Sequence, residues 1–396
     1  MFKKHSRGPS ILILTLVLFL SACTGAQPSL PATSEATPVT TQPPPTATPT
    51  EEPPTAAPTE VPPTAMPTEE PPTATPTEEP IELNPSPRGY ISMAYDTESK
   101  QVILFGGQTG DFDFPENYSG ETWAFDLATQ TWTEMKPATA PSPRAAANLT
   151  YDAESDRVIL YGGALVYTTY QDTWAYDYNS NTWTEMKAQG PAKHLGSAMA
   201  YDTESDRSIL FGGYDLDADV LFQDTWAYDY NSDSWSELMP EISPPNQNYH
   251  AMTYNTKADR VILWGGDTTP RDNSVWAYDF NTNIWQQEMT STGPDARPYH
   301  AMAYSGLADQ NFMYGGKGTG NKEMWSYNYD SNTWTMLEEP GSFPGALSRY
   351  AMVYIPDTDR FIVFGGQVGG NSANYTNQTW LYDLNTNTWT DVTRIP

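Results

Sequence analysis

The chain has 396 residues, of which 49 are acidic and 20 are basic, and its formal net charge at pH 7 is −29. A surface this negative repels phosphate backbones and anionic headgroups, so we expect neither nucleic acid nor a charged membrane surface as a partner. The single cysteine, Cys23, excludes a disulfide framework within the chain.

The first 22 residues have the composition of a targeting segment. A basic stretch over 3–7 precedes an apolar run over 11–20, and that run is too short to span a bilayer as a helix. The sequence LSAC, which ends at Cys23, resembles the lipobox of bacterial lipoproteins, in which the cysteine is acylated and the preceding peptide is removed. The resemblance implies a lipoprotein signal peptide over 1–22 and lipidation of Cys23. An ordinary signal peptide with a chance cysteine is the alternative.

Residues 23–80 form a segment of low complexity. The unit PTEEPPTAA begins at Pro49, returns with small changes at Pro58 and Pro67, and starts again at Pro76. The segment has no apolar periodicity with which to bury a core, and its prolines favour extended polyproline II structure. We therefore expect a disordered, lipid-anchored spacer. It would hold the rest of the chain in the cell envelope, outside a cytoplasmic membrane or on an outer membrane.

From about residue 85 the sequence repeats itself six times with a period near 50. Each unit has a glycine pair after an apolar run: Gly106 and Gly107, Gly162 and Gly163, Gly212 and Gly213, Gly265 and Gly266, Gly315 and Gly316, Gly365 and Gly366. Each also has two tryptophans, nine residues apart: Trp123 and Trp132, Trp174 and Trp183, Trp226 and Trp235, Trp276 and Trp285, Trp325 and Trp334, Trp380 and Trp389. A period of this length predicts a propeller or a solenoid.

The second unit shows how four strands are predicted within each repeat. Strands are expected over 147–151, 158–161 and 173–176, and a fourth begins at Trp183, with polar turns between them. The glycines permit a positive φ or a close backbone approach, and we assign them a structural role. Six such sheets around one axis cover both faces of each sheet. An open solenoid is the alternative, although its repeats are usually shorter.

These repeats resemble those of the kelch family. The resemblance is carried by the first-strand aromatic, the apolar strand, the glycine pair and the spacing from Tyr176 to Trp183, and it covers 85–391. The fifth unit departs from it, with Asn328 where the others have aspartate. The resemblance implies an all-β, six-bladed kelch-type β-propeller over 81–396, with four antiparallel strands per blade. The expected blades are 85–137, 141–187, 191–239, 245–290, 294–338 and 344–391.

All six units have the same phase, so no blade takes strands from both ends of the repeat region. Closure of the ring is then expected from side-chain packing between the first and sixth blades. Residues 81–84 or 392–396 would assist that packing.

The kelch resemblance also implies a ligand site where the loop entering each first strand meets the loop after the glycine pair. Arginine, histidine and tyrosine recur there, and the candidate ligand-binding residues are Arg88, Tyr90, Arg144, His194, Tyr249, His250, Arg297, Tyr299, His300, Arg349 and Tyr350. Arginine suits carboxylates and tyrosine suits sugar faces, so these residues would form an anion or glycan site. The alternative, which their repetition favours, is that they are scaffold contacts between blades.

The loops after the glycine pairs differ in length and would set specificity. The longest are expected over 108–121, 214–224 and 367–379. Asp215, Asp217 and Asp219 alternate in one of them, which would suit Ca²⁺. The full spacing of a calcium loop is missing, so a solvated acidic loop is favoured and no metal is expected.

The sequence offers little that would support catalysis. The copper site of galactose oxidase, which also has kelch repeats, needs a tyrosine cross-linked to a cysteine, and the only cysteine here is the lipid anchor. No zinc cluster, HExxH motif or GxSxG motif occurs, so we expect no cofactor and no catalytic residue. The expected function is that of an extracytoplasmic binding module for an unknown protein or glycan. The alternative is a sialate-mutarotase-like enzyme, in which Arg144, Arg297 and His300 would supply the arginine for the sugar carboxylate and the acid–base group.

Overall fold

The computed structural model describes residues 83–268, 273–318, 321–338, 341–369 and 374–394. These residues form six antiparallel four-stranded sheets, and each sheet takes its strands from one continuous stretch of chain. The predicted six-bladed propeller is thereby confirmed. The predicted signal peptide, Cys23 and the spacer lie outside the described residues. Within the described ranges, no helix has the length and apolar composition needed to cross a bilayer.

The strand bounds follow the sequence repeat. Blade 1 contains Ser92–Asp96, Gln101–Phe105, Thr122–Asp126 and Thr131–Met135, and blade 2 contains Asn148–Asp152, Arg157–Tyr161, Thr173–Asp177 and Thr182–Glu185. Blade 3 contains Ala198–Asp202, Arg207–Asp215, Val220–Asp229 and Ser234–Leu238, and blade 4 contains Ala251–Asn255, Arg260–Trp264, Val275–Asp279 and Ile284–Glu288. Blade 5 contains Ala301–Ser305, Gln310–Tyr314, Met324–Asn328 and Thr333–Met336, and blade 6 contains Ala351–Ile355, Arg360–Phe364, Thr379–Asp383 and Thr388–Asp391.

Short elements lie in the connections between these strands. Ala164–Leu165 pairs with Thr168–Thr169 in blade 2, and Leu347–Ser348 pairs with Gln367–Val368 in blade 6. Two single-turn 3-10 helices span Pro115–Asn117 and Pro356–Thr358.

The second strand of each blade is apolar because neighbouring blades cover both of its faces. In blade 2, Val158, Ile159, Leu160 and Tyr161 are each at most 1% exposed. Six clusters of buried apolar side chains fill the six junctions between neighbouring blades. The first strands contact one another around the axis, and the first strand of blade 1 contacts that of blade 6. The ring is therefore closed.

A tryptophan in the fourth strand ties a blade to the preceding one. Nε1 of Trp183 in blade 2 donates a hydrogen bond to Oγ1 of Thr122 in blade 1 at 2.9 Å. The same bond joins Trp235 to Thr173, Trp285 to Thr225 and Trp132 to Thr379. The last of these connects blade 1 to blade 6, so the ring closes with a contact that is used at other junctions.

The segments flanking the propeller strengthen this closure. Beyond the last strand, Arg394 donates hydrogen bonds to the carbonyl oxygens of Thr129 and Gln130 in blade 1. Before the first strand, Asn84 donates to the carbonyl oxygen of Arg394 at 2.7 Å. Val392 packs against the apolar cluster between blades 1 and 6. The sequence predicted packing at this junction, and the structure adds these hydrogen bonds from side chains to backbone carbonyls.

The junction between blades 4 and 5 lacks the tryptophan–threonine bond. Val275 stands where the threonine acceptor is found in other blades, and Nε1 of Trp334 is buried without a hydrogen-bond partner among the described residues. We expect Val275→Thr to raise the free energy of unfolding by about 1 kcal/mol, because threonine keeps the shape of valine and supplies the acceptor. Urea denaturation followed by tryptophan fluorescence measures the change.

Thr173→Val is the reciprocal variant and serves as the control. It leaves Nε1 of Trp235 without its acceptor, so it should lower the free energy of unfolding by about 1–3 kcal/mol. A stability change of the same sign in Thr173→Val and Val275→Thr would contradict the assignment.

The stretch 214–224 is a hairpin rather than the predicted loop. The second and third strands of blade 3 run past the glycine pair as Arg207–Asp215 and Val220–Asp229, with a register shift after Phe211. The Asp215 carboxylate accepts the amide hydrogens of Asp217 and Ala218, which closes the turn between these strands. The alternating aspartates therefore help to close a turn, a role that was not predicted from the sequence.

The glycine pairs lie where one blade meets the backbone of the next. All twelve glycines have φ between 61° and 114°. A Cβ atom at Gly212 would lie 2.7 Å from the carbonyl oxygen of Gln247 in blade 4. The amide of Gly213 donates to that same oxygen at 2.8 Å. The pair thus combines a left-handed backbone with a close contact between blades.

Candidate functional site

At one end of the central channel, the loop entering each first strand meets the segment after the glycine pair. Backbone pairing joins the two segments at Gly89 and Gln108, Ala145 and Ala164, Leu195 and Tyr214, Asn248 and Asp267, and Ser348 and Gln367. In blade 5, the amide of Lys317 donates to the carbonyl oxygen of Pro298 at 2.9 Å. We call this end the loop face. The eleven candidate residues lie here in three layers.

The first layer contains Arg88, Arg144, His194 and Arg297, all of which are buried. Arg144 donates from both terminal nitrogens to the two carboxylate oxygens of Asp172, at 2.5 and 2.9 Å. Equivalent pairs are Arg88 with Glu121, His194 with Asp224 and Arg297 with Glu323. Burial alone would raise the pKa of Asp172, but the bond to Arg144 and its charge outweigh burial and hold the pKa below its usual value. These four candidates therefore have partners within their own blades.

The second layer contains His250, His300 and Tyr350, which pack against the glycine pair of the preceding blade. A Cβ atom at Gly265 would lie 2.5 Å from the ring of His300. Burial lowers the pKa of His250 and of His300 to about 3, so both rings are neutral at pH 7. Nδ1 of His300 lies 3.0 Å from the carbonyl oxygen of Arg297 and donates to it. These rings fill junctions between blades.

The third layer contains Tyr90, Tyr249, Tyr299 and Arg349, which line a cavity of about 200 Å³ at the mouth of the channel together with the three residues of the second layer. All four have a positive φ, between 51° and 65°. Their backbones are linked around the axis: the amide of Arg349 donates to Tyr299 and that of Tyr299 donates to Tyr249, both at 3.0 Å. Ala146 and Gly196 occupy the same position in blades 2 and 3. The mouth is thus aromatic on one side and small on the other.

The guanidinium group of Arg349 lies between two tyrosine rings. Its central carbon is 4.9 Å from the ring centre of Tyr90 and 4.3 Å from that of Tyr299, within the range of cation–π attraction. Tyr249 packs on Tyr299 with ring centres 4.4 Å apart. Among the described residues no carboxylate pairs with Arg349, and its Nε is buried without a hydrogen-bond partner. Arg349 is therefore the candidate arginine whose charge remains available at the mouth.

Aromatic residues from the long loops extend the mouth, and they were not among the candidate residues predicted from the sequence. The ring centres of Phe112 in blade 1 and Tyr167 in blade 2 lie 5.5 Å apart, and the Tyr167 hydroxyl donates to Asp113 at 2.7 Å. Tyr375 from blade 6 lies over Gly89. These loops have no common length, so periodicity could not align them, and their aromatic content was the only available signal.

The acidic hairpin of blade 3 directs its carboxylates to protein donors. Asp219 accepts from the Tyr214 hydroxyl at 2.5 Å, and Asp217 pairs with Lys193. Among the residues that the structure describes, no group of three or more histidine, cysteine, aspartate or glutamate side chains has the arrangement of a metal site.

The mutarotase hypothesis would use Arg144, Arg297 and His300. These side chains are buried in the first and second layers, where Arg144 and Arg297 pair with carboxylates and His300 packs on a glycine pair.

Comparison with known proteins extends the kelch resemblance to most of the chain. The sequence model of the KLHDC2/KLHL20/DRC7 Kelch-repeats domain matches residues 73–255 and 209–395. Kelch domain-containing protein 10 of Xenopus tropicalis is 26% identical over 179 residues, which are 43% of this chain and 42% of that protein. Its Xenopus laevis counterpart is 24% identical over 179 residues, with the same shares.

The dynein alpha chain of the flagellar outer arm of Chlamydomonas reinhardtii is 24% identical over 196 residues, which are 46% of this chain and 4% of that protein. The chain thus spans less than half the length of these curated relatives. Kelch propellers of this kind are mostly non-enzymatic modules that bind proteins. The family match and the six four-stranded blades agree, and the chain belongs to the kelch-repeat β-propeller family.

Proposed function

We propose that this chain is an extracytoplasmic binding module that recognises an acidic group of a protein or glycan ligand at the loop face. The observation that supports the proposal is the guanidinium group of Arg349, held between Tyr90 and Tyr299 at the mouth without a carboxylate partner among the described residues. In a chain with a net charge of −29, a cation held in this way favours a negatively charged partner.

The layers at the loop face also support a role in recognition. The other candidate residues are buried, and they pair with a carboxylate or pack at a junction between blades, whereas the mouth residues and the long loops differ from blade to blade. Phe112 and Tyr167 are 39% and 65% exposed beside the mouth, and aromatic side chains of this kind are common anchors in binding interfaces. The ligand would be held by the charge of Arg349 and by contact with these loops.

The test begins by identifying a ligand with a glycan array and a pull-down from cell envelope. Arg349→Gln should then weaken binding at least tenfold, because it removes the charge and keeps a polar side chain. The control is Lys187→Gln, which removes the same charge from an exposed position near the outer edge of blade 2. It should change affinity less than twofold. Equal affinities of the two variants would refute the mouth as the site.

Arg297 and His300 are unsuitable for this test, although the sequence placed them among the candidates. Arg297 pairs with Glu323, and His300 packs on the glycine pair of blade 4. Their replacement would disturb the junction between blades before it affected a ligand.

The location is part of the proposal and rests on the leader sequence. A lipid-anchored Cys23 would present the propeller outside the cell, where an envelope protein or glycan could reach the loop face. We expect Cys23→Ala to release the protein from membranes into the medium, as measured by fractionation and immunoblotting. If this variant stays in the membrane fraction to the same extent, the anchor assignment is wrong.

A further inference from the structure

The opposite end of the channel contains a second and larger cavity. We call this end the turn face, because the first strand of each blade turns into the second strand there. A cavity of about 530 Å³ opens at this face, and it is lined by one tyrosine from each blade: Tyr95, Tyr151, Tyr201, Tyr254, Tyr304 and Tyr354. Its floor is formed by Met93, Leu149, Met252, Met302 and Met352, which also border the mouth cavity. The volume lies in the range of small-molecule sites.

Each tyrosine hydroxyl in this ring donates its proton to a carboxylate. Tyr254 donates to Asp259 at 2.8 Å, and four other tyrosines have an equivalent bond: Tyr151 to Asp156, Tyr201 to Asp206, Tyr304 to Asp309 and Tyr354 to Asp359. In blade 1, Lys100 replaces this aspartate, and Tyr95 donates to Asp357 of blade 6 at 3.0 Å. The six rings therefore carry no spare hydroxyl proton, and negative charge lies behind every ring.

Basic side chains at the turn face are themselves paired. The arginines that follow the turn aspartates reach the aspartate at the end of the third strand, in the pairs Arg157 with Asp177, Arg207 with Asp229, Arg260 with Asp279 and Arg360 with Asp383. The adjacent Asp156 is a more distant partner of Arg157, with 3.9 Å between the nitrogen and the carboxylate oxygen. Lys257 pairs with Asp309 and Asp330, and Lys100 pairs with Asp357.

The carboxylates at this rim exceed the cations and crowd one another. A hydrogen bond with Asp156 of the next blade raises the pKa of Glu98, and Asp259 has the same effect on Glu204. Glu154 adds a further acid in the turn of blade 2. Negative potential is therefore concentrated around an opening whose walls are aromatic and whose floor is apolar.

These features select among ligand classes. An anion would be repelled by the rim, and a sugar would find no free hydroxyl proton on the tyrosine ring. A small metal ion would meet aromatic rings, thioethers and neutral threonine hydroxyls on the cavity lining rather than a set of carboxylate ligands. An ammonium ion with alkyl substituents is attracted by aromatic rings and by the rim carboxylates, and its alkyl groups match the methionine floor. We propose that the turn-face cavity binds a small alkylated ammonium cation.

The experiment compares choline with 3,3-dimethylbutan-1-ol, which has the same shape but no charge. Both are titrated into the full chain at low ionic strength by isothermal titration calorimetry. We expect choline to bind at least tenfold more tightly than the neutral alcohol and to lose affinity as salt is added. Equal affinities would show a merely apolar pocket, and no saturable binding of choline would refute the cavity as a cation site. Either result overturns the proposal.

Variants in the tyrosine ring locate the site. Tyr254→Leu removes one ring and should weaken choline binding about threefold to tenfold, whereas Tyr254→Phe keeps the ring and should stay within about threefold of the parent. Near-ultraviolet circular dichroism checks the fold, and Tyr304→Leu replaces the first variant if it does not fold. Unchanged choline affinity in a folded leucine variant would place the binding elsewhere. This test is independent of the ligand proposed for the loop face.

Discussion

Gly212→Ala should lower the free energy of unfolding by about 3 kcal/mol. About 1–2 kcal/mol of this arises because an L-residue is strained in the left-handed region, and the backbone of Gly212 has φ +62°. The remainder arises because the new Cβ atom would lie 2.7 Å from the carbonyl oxygen of Gln247, and that oxygen cannot retreat without losing its bond to Gly213. Urea denaturation at neutral pH measures the loss.

Two other glycines separate the contributions of strain and contact. Gly345 has φ +84°, but a Cβ atom there would have no neighbour within 4 Å, so Gly345→Ala should cost only about 1–2 kcal/mol from backbone strain. Gly341 has neither a left-handed backbone nor a neighbour within 4 Å, and Gly341→Ala should be nearly neutral. Similar losses for all three variants would show that the glycine pair has no special role at the blade junction.

Acidification should destabilise the propeller well above the range in which carboxylates titrate. His250 and His300 are held neutral by burial, with pKa values of about 3, whereas a histidine in the unfolded chain has a pKa near 6.5. Between these values the unfolded state binds more protons, so stability falls as the pH falls. Below pH 6.5, each histidine lowers the free energy of unfolding by about 1.4 kcal/mol per pH unit. The loss is on the order of 5 kcal/mol for both histidines at pH 4.5.

The double variant His250→Leu, His300→Leu isolates this effect. It removes both titrating rings and keeps an apolar side chain of similar size at each junction, so its stability should depend only weakly on pH between 6.5 and 5. Below that range the paired carboxylates, such as Asp172 with its lowered pKa, should affect parent and variant alike. The measurement is urea denaturation across the pH series. Parallel stability curves for the parent and the double variant would show that the two rings are not held neutral by the fold.

The periodic features of this chain were predictable because one pattern recurs six times. The apolar second strands, the glycine pairs and the tryptophans fall at equal spacing, and each repeat must bury its faces against the next. Ring closure was predicted as packing, but the bonds of Arg394 to blade 1 could not be read from the sequence. They join the end of the repeat region to a turn near its beginning.

The candidate site was only partly predictable because residues that are neighbours in the sequence have different contacts in the structure. Arg297, Tyr299 and His300 lie within four positions of one another, yet Arg297 is paired with a carboxylate, Tyr299 packs on the mouth arginine and His300 packs on a glycine pair. The left-handed backbone at Tyr299 breaks the simple alternation by which faces are assigned in a strand. A tyrosine with a positive φ has no distinct signal in the sequence.

The strand order within the blades has a consequence for the folding pathway. Each sheet is assembled from one continuous stretch of chain, so its hairpins join residues that are close in sequence and need little loop closure. The bond between Trp183 and Thr122 spans 61 positions, whereas the equivalent bond between Trp132 and Thr379 spans 247. Closing the longer loop raises the entropic cost of forming the bond by about 1 kcal/mol. Blades are therefore expected to form as local units during synthesis, with ring closure as the last step.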